Sequence, residues 1–198
     1  MIRFRADPKR ESKMTMLGLI TGHPKRAVKQ LYNWGLMRYG KSPLRLHIGC
    51  GQRKINGFVN IDRNSSPATD YVSDTITLPC RDGSVERIET YHVIEHIPRP
   101  VVRKVLAEWR RVLKVGGCLV IECPDFDEAI TQYLSGNQEM LFSVFGRYRF
   151  PGDEHAWGYS AVSLRELVES EGFSGKLCPP TDYHKDTEPC LRIECVKL

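Results

Sequence analysis

Residues 44–62 read LRLHIGCGQRKINGFVNID, and the fold turns on this stretch. Leu44, Leu46 and Ile48 form a short apolar run that stops at Gly49. Phe58, Val59, Asn60 and Ile61 form a second, closed by Asp62. Strand, glycine turn, strand and terminal acid is the order in which an α/β sheet builds a nucleoside pocket at the carboxyl ends of its strands. Gly51 permits a positive φ and offers bare backbone where a side chain would meet a ligand. A carboxylate at the tip of the second strand only accepts hydrogen bonds, which suits the two adjacent hydroxyls of a ribose.

The same stretch argues against a dinucleotide. A pyrophosphate calls for G-x-G-x-x-G at a helix N-terminus, but Lys54 stands at the third glycine position. Only ten residues separate Gly51 from Asp62, against about 20 between fingerprint and acid in nicotinamide-binding units. A nicotinamide oxidoreductase is disfavoured on both counts.

Working outward, Val72-Ser73-Asp74 ends another short apolar stretch, and the polar turn 80–84 leads into a strand over 85–93. Val101, Val102, Val105, Leu106, Trp109, Val112 and Leu113 recur at helical spacing, with Gly116-Gly117 expected to stop that helix. Residues 118–123, CLVIEC, read as a buried strand. Ser163 reads as a helix N-cap with Glu166 three residues on and Gly172 as the stop. Residues 173–178 and 191–197 read as two final strands.

LHIGCG, NID, SDTITLP followed by RDGSVERI, HVIEHI, and RVLKVGGCLVIECPD occur in this order between residues 44 and 126. In these motifs the chain resembles the class I S-adenosylmethionine (SAM) dependent methyltransferases of the methyltransferase type 11 pattern, in a subgroup with a compressed first helix. The resemblance implies a Rossmann-like, doubly wound α/β sheet of seven strands, mostly parallel, with an antiparallel C-terminal strand. It implies that Gly49, Cys50 and Gly51 lie against the methionine and ribose of SAM. Asp62, with Arg63 beside it, would sit at the ribose. Asp74, Thr75 and Ile76 would edge the adenine, and Tyr91 and His92 would line the methionine end. SAM carries no phosphate, so a missing third glycine is no defect.

Length and composition set the remaining bounds. The 198 residues, 41% hydrophobic and 27% charged, suit one domain, expected over 43–198 behind an extension over 1–42. Seven Cys with no C-x-x-C, several inside apolar runs, point to a reducing cytoplasm without disulfides. The first residues show no apolar run of signal-peptide or membrane-span length. A net charge of +5 could suggest nucleic acid, but after residue 60 the cations are interleaved with acids, so none is expected. Pro24 is expected to open a helix through Met37, packed over one edge of the domain. Its basic residues and Trp34 allow a sharper reading as a lid or a membrane-surface helix, a peripheral contact without stable insertion.

Transfer of a methyl group from a sulfonium needs in-line alignment and a dry pocket more than it needs side-chain chemistry. For a hydroxyl acceptor a base helps, and His155 and His92 are the candidates, with Asp125 or Tyr159 to orient or replace His155. The expected acceptor is a small molecule or glycan; a non-catalytic SAM-binding regulatory or scaffold protein is the alternative. HVIEH, residues 92–96, also spells the inverted zinc-protease motif H-x-x-E-H, but that needs a helix where a strand and Pro98 are expected. Some SAM methyltransferases of similar plan use a Glu-His pair here with a later His, a set Glu95, His96 and His155 would imitate. The expectation is nevertheless that Glu95 and His96 cap and brace the next helix, with no metal.

Overall fold

The computed structural model describes residues 24–41, 43–74 and 76–198. Seven strands, β1 (Leu44–Ile48), β2 (Val59–Asp62), β3 (Tyr71–Val72), β4 (Val85–Tyr91), β5 (Leu113–Pro124), β6 (Phe173–Cys178) and β7 (Cys190–Lys197), form one sheet in the order β3-β2-β1-β4-β5-β7-β6. The pairs from β3 to β5 are parallel, and β7 pairs antiparallel with both β5 and β6. This is the expected doubly wound sheet with one reversed strand near its C-terminal end. Its switch point lies between β1 and β4, where such sheets open a crevice at their carboxyl edge.

The helices are α1 (Pro24–Tyr39), α2 (Arg99–Val112), α3 (Phe126–Leu134), α4 (Met140–Phe145) and α5 (Ala161–Ser170). The periodic face of α2 does what its spacing predicts: Val102, Val105, Leu106, Trp109 and Val112 are buried against the sheet. Each such side chain contributes roughly 1.5–3 kcal/mol by leaving water. Leu46, Ile48, Ile61, Ile88, Leu119 and Ile121 form the core of the sheet itself.

Three local expectations are corrected. Gly116-Gly117 does not stop α2; the chain is already extended at Leu113 (φ −68°, ψ 138°), where pairing with Val85 draws it into β5. The glycines lie inside that long strand, next to a register shift opposite Val85 to Arg87, and Gly116 takes φ +72° there. Ser163 is not the cap of α5. Ser160 is, one turn earlier, because its extended backbone lets its hydroxyl accept from the Ser163 N–H while the Ser163 hydroxyl accepts from the Ser160 N–H. The compressed first helix is compressed to nothing: residues 49–58 are turns and irregular chain.

Helix α1 extends two residues beyond its expected end and packs on the β3 edge. The Asn33 amide donates to the Asp70 carbonyl, Lys29 reaches Thr69 and Asp70, and the Val72 N–H donates to the Gln30 side chain. Residues 1–23, most of the expected extension, lie outside the described residues. No helix among the described residues is long and apolar enough to cross a membrane.

Candidate active site

The tips of β1, β2 and β4 converge at the switch point. After Ile48 the chain turns through Gly49 (φ +73°) and Gly51 (φ +51°). The N–H groups of Gly49 and Cys50 both donate to the Ile61 carbonyl, at 2.8 and 3.1 Å, tying this loop to β2. A Cβ on Gly49 would lie 2.1 Å from Cγ2 of Val93, so this glycine is required by packing. A Cβ on Gly51 would meet nothing within 4 Å, and that open side is the bare backbone expected to face a ligand.

Asp62 joins the same loop. Its Oδ2 accepts from the Gly51 N–H at 2.8 Å and its Oδ1 from the Asn64 N–H at 2.7 Å. A carboxylate has about four acceptor sites, so lone pairs remain for two hydroxyls. Beneath the loop, His47 Nδ1 and Asn60 Oδ1 are 2.9 Å apart, and Asn60 also holds Ile55 and Asp70. Asp74 Oδ1 accepts from the N–H groups of Ile76 and Thr77, an Asx-type turn that presents the half-exposed Ile76. Thr75 lies outside the described residues. Arg63 stands beside the turn, its guanidinium next to Gly152. Cys50 is no nucleophile, since burial pushes its thiol up to about 11.

At β4, the Tyr91 hydroxyl donates to Glu89 at 2.8 Å, and its ring is covered by Arg53, whose guanidinium carbon is 5.1 Å from the centroid. Arg53 also ion-pairs with the buried Asp182. The face of Tyr91 expected to line the methionine end is therefore shared with Arg53, which arches from the glycine loop to the β6–β7 connection.

His92 follows in a left-handed conformation, φ +53°, a costly place for a non-glycine residue that marks a site held by its surroundings. Its Nδ1 is 3.2 Å from Glu95 Oε1, and its ring stacks on His184 at 3.9 Å between centroids. Burial pulls the His92 pKa down, but Glu95 and Glu188 outweigh it and hold it above the ordinary value. His184, its Nδ1 2.5 Å from Asp182 Oδ1, is pulled down to about 4 by burial and by His92.

Glu95 does not cap α2, whose N-cap is Pro98 without a side-chain bond. Its carboxylate is buried, and neither oxygen has a hydrogen bond of good geometry among the described residues. Burial pushes its pKa up, yet His92, His96 and His155 prevail and hold it below the usual carboxylate range. The Glu95 carbonyl accepts from the Ala156 and Trp157 N–H groups, locking the 154–157 segment over it. His96 Nδ1 lies 2.9 Å from the Glu154 carbonyl and His155 Nδ1 3.0 Å from the Ser143 carbonyl. Both Nδ1 atoms thus act as donors, which leaves Nε2 as the ring atom each could offer to a ligand. One ligand atom from each of Glu95, His96 and His155 falls within a 4.8 Å group. A buried charged carboxylate, two imidazoles and backbone carbonyls fixing their tautomers are the donor set and outer contacts of a divalent-metal site, so these residues fit one.

His155 also lines a cavity of about 350 Å³ walled by Phe126, Phe145 and Trp157. Burial pulls its pKa down, keeping the ring neutral. The structure thus brings both His92 and His155 beside Glu95. It does not bring in Asp125, which caps α3 by accepting from the Glu128 N–H, or Tyr159, which is buried in the core; neither is a hydrogen-bond partner of His155.

Residues 46–121 match the family model described as a methyltransferase domain. The chain is also similar to a SAM-dependent methyltransferase of Methanosarcina mazei, with a TM-score of 0.57, 17% identity, and 89% of this chain and 98% of that one covered. It has the class I SAM-dependent methyltransferase fold. A SAM-dependent methyltransferase of Archaeoglobus fulgidus matches this methyltransferase fold with a TM-score of 0.53 at 15% identity, over 86% and 93% of the two chains. The 1,6-didemethyltoxoflavin-N1-methyltransferase of Burkholderia thailandensis, solved with that compound and S-adenosylhomocysteine (SAH), matches with a TM-score of 0.53 at 13% identity, over 88% and 77%. An uncharacterized 37.1 kDa protein of a Streptomyces fradiae transposon is 42% identical over 62 residues, 31% of this chain; the match spans only 17% of that relative.

Arg53, Asp182, His184 and Glu188 carry no local signal of a role. Asp182, His184 and Glu188 reach the site because Glu122, fully buried at the β5 tip, accepts from the Thr181 and Asp182 N–H groups and so folds the β6–β7 connection inward, where Asp182 meets Arg53 of the glycine loop.

Proposed function

We propose that the protein transfers the methyl group of SAM to a small-molecule or glycan-type acceptor. The observation that carries this reading is the joined tip of β1 and β2: Gly51, open on its ligand side, fastened to an Asp62 carboxylate with acceptor capacity to spare. In this reading Asp62 takes the ribose hydroxyls, Gly49, Cys50 and Gly51 the ribose and methionine, Asp74 and Ile76 the adenine, and Tyr91 and His92 the sulfonium end. Arg63 stands at the outer rim, and Arg53 swings off Tyr91 to admit the cofactor.

The acceptor enters the aromatic cavity beside His155. Its lone pair attacks the methyl carbon, the carbon–sulfur bond breaks, and its electron pair stays on sulfur as neutral SAH. The proton leaving the acceptor goes to His155 Nε2. His155 suits this better than His92, because burial keeps it neutral while Glu95 keeps His92 inclined to protonation. A divalent cation held by Glu95, His96 and His155 would occupy His155 Nε2, and in that state it would supply Lewis-acid polarisation of an acceptor oxygen in place of the imidazole base. The buried Glu95 carboxylate, whose oxygens make no well-aligned hydrogen bond among the described residues, favours that addition.

Calorimetric titration of the full chain with SAH, followed by methyl transfer from labelled SAM to a panel of hydroxyl- and amine-bearing acceptors, tests the reading. SAH binding abolished in D62A, with turnover, supports it. Absence of SAH binding overturns it, and binding without turnover on any acceptor favours a regulatory or scaffold role.

A further inference from the structure

Charge is distributed unevenly along this chain. From residue 24 to 61 there are eight Lys and Arg and no Asp or Glu, whereas residues 62–198 carry 16 Lys and Arg against 22 Asp and Glu. Helix α1 concentrates the basic half. Lys25, Arg26 and Arg38 on the helix and Lys41 just after it are exposed and have no ion pair among the described residues.

The helix is fixed to the domain by a narrow face. Asn33 and Met37 are its buried residues, and Lys29, Gln30 and Asn33 hold β3. The opposite face is apolar and open. Val28 is 66% exposed, Leu31 54%, Tyr32 69% and Tyr39 68%, with Trp34 packed edge-on against Tyr39 at 5.7 Å. Aliphatic side chains at the centre, Trp and Tyr at the flanks and cations around them are the composition of a helix lying in a headgroup layer. A nucleic-acid surface would have no use for an exposed Val and Leu at its centre.

We propose that α1 is a docking face for an anionic lipid bilayer, on which it lies flat while the domain it is bonded to along β3 stays in water. The charge complementarity names the occupant: a helix and its C-terminal flank that carry four exposed cations without an ion pair among the described residues, and no acid, against a negatively charged surface. The inference is independent of the methyl-transfer reading and places the active site at a membrane surface whatever its acceptor.

The test is co-sedimentation of the full chain with vesicles of phosphatidylcholine alone or with 30 mol% phosphatidylglycerol, alongside Trp fluorescence. Expected are binding to the anionic vesicles only, a blue shift that disappears in W34F, and release by salt. Each cation near such a surface is worth roughly fivefold in affinity, so K25Q/R26Q/R38Q/K41Q together should weaken binding several hundredfold. L31E, at an exposed position, should abolish binding while leaving the melting temperature and SAH affinity at wild-type values. The proposal is overturned by equal binding to neutral vesicles, by no binding at 0.1 M salt, or by L31E binding like wild type. It is equally overturned if α1 serves another occupant, shown by a dimer that L31E dissociates without vesicle binding, or by an RNA oligonucleotide bound more tightly than the vesicles.

Discussion

Gly49 and Gly51 stand two residues apart, both with positive φ, yet substitution by Ala should injure different properties. Placing an L-residue in the left-handed region costs about 1–2 kcal/mol at either position. At Gly51 that is the whole cost, since the new Cβ meets nothing within 4 Å. A stability change of this size lowers Tm by about 2–8 °C for a chain of this length. At Gly49 the Cβ would fall 2.1 Å from Val93 Cγ2, and overpacking of that kind adds about 1–3 kcal/mol. G49A should therefore melt well below G51A, and V93A should restore part of the difference by removing the opposing methyl. SAH binding should run the other way: G51A, folded but with a methyl in the cofactor's space, should lose at least tenfold in affinity. Thermal melts of G49A, G51A and G49A/V93A with calorimetric titration of G51A check this. G51A binding SAH like wild type would refute the placement of the ligand, and equal melting of G49A and G51A would refute the packing.

D62N should retain the loop through one acceptor oxygen but lose the charged acceptor for ribose, weakening SAH by about 10- to 150-fold, the worth of hydrogen bonds to a charged group; calorimetry reads it. Mn²⁺ at a hundredfold excess over its Kd should stabilise the wild type by about 2.7 kcal/mol and leave E95Q and H155A unmoved in a thermal melt. Because burial pulls the His155 pKa below the ordinary 6.5, turnover should be flat above neutrality and fall at lower pH as the base is protonated, a limb absent in H155A. His184 is lowered from 6.5 to about 4, so the unfolded chain binds the extra proton between these values. Stability from this residue is then complete above pH 6.5 and is lost as pH falls toward 4, by about 3 kcal/mol; H184N should flatten that part of a Tm–pH curve.

What the sequence determined by itself was the framework, because it is written in local patterns. Alternating and continuous apolar runs, the Gly49-x-Gly51 turn, the acid closing β2 and the heptad-like spacing of α2 each report on a few neighbouring residues, and each appears where the pattern puts it. Boundaries were less legible where two local signals competed: Gly116 marked a stop, yet pairing of Leu113 with Val85 claimed the chain first. Ser163 looked like a cap until Ser160, one turn earlier, took the position and used Ser163 as its partner.

Only the tertiary structure decided the chemistry around Glu95. Four histidines from residues 92, 96, 155 and 184 meet there because β4, the segment after α4 and the β6–β7 connection are brought to one sheet edge, over separations of up to 92 positions that no local pattern encodes. The same closure buries the Glu95 carboxylate beside His92, lowers the pKa of one imidazole, His155, while raising that of a neighbour, His92, and sets Arg53 across Tyr91. A charge buried at such a meeting point takes its ionisation from partners distant in the chain, and for that reason its role could be read only once they were seen together.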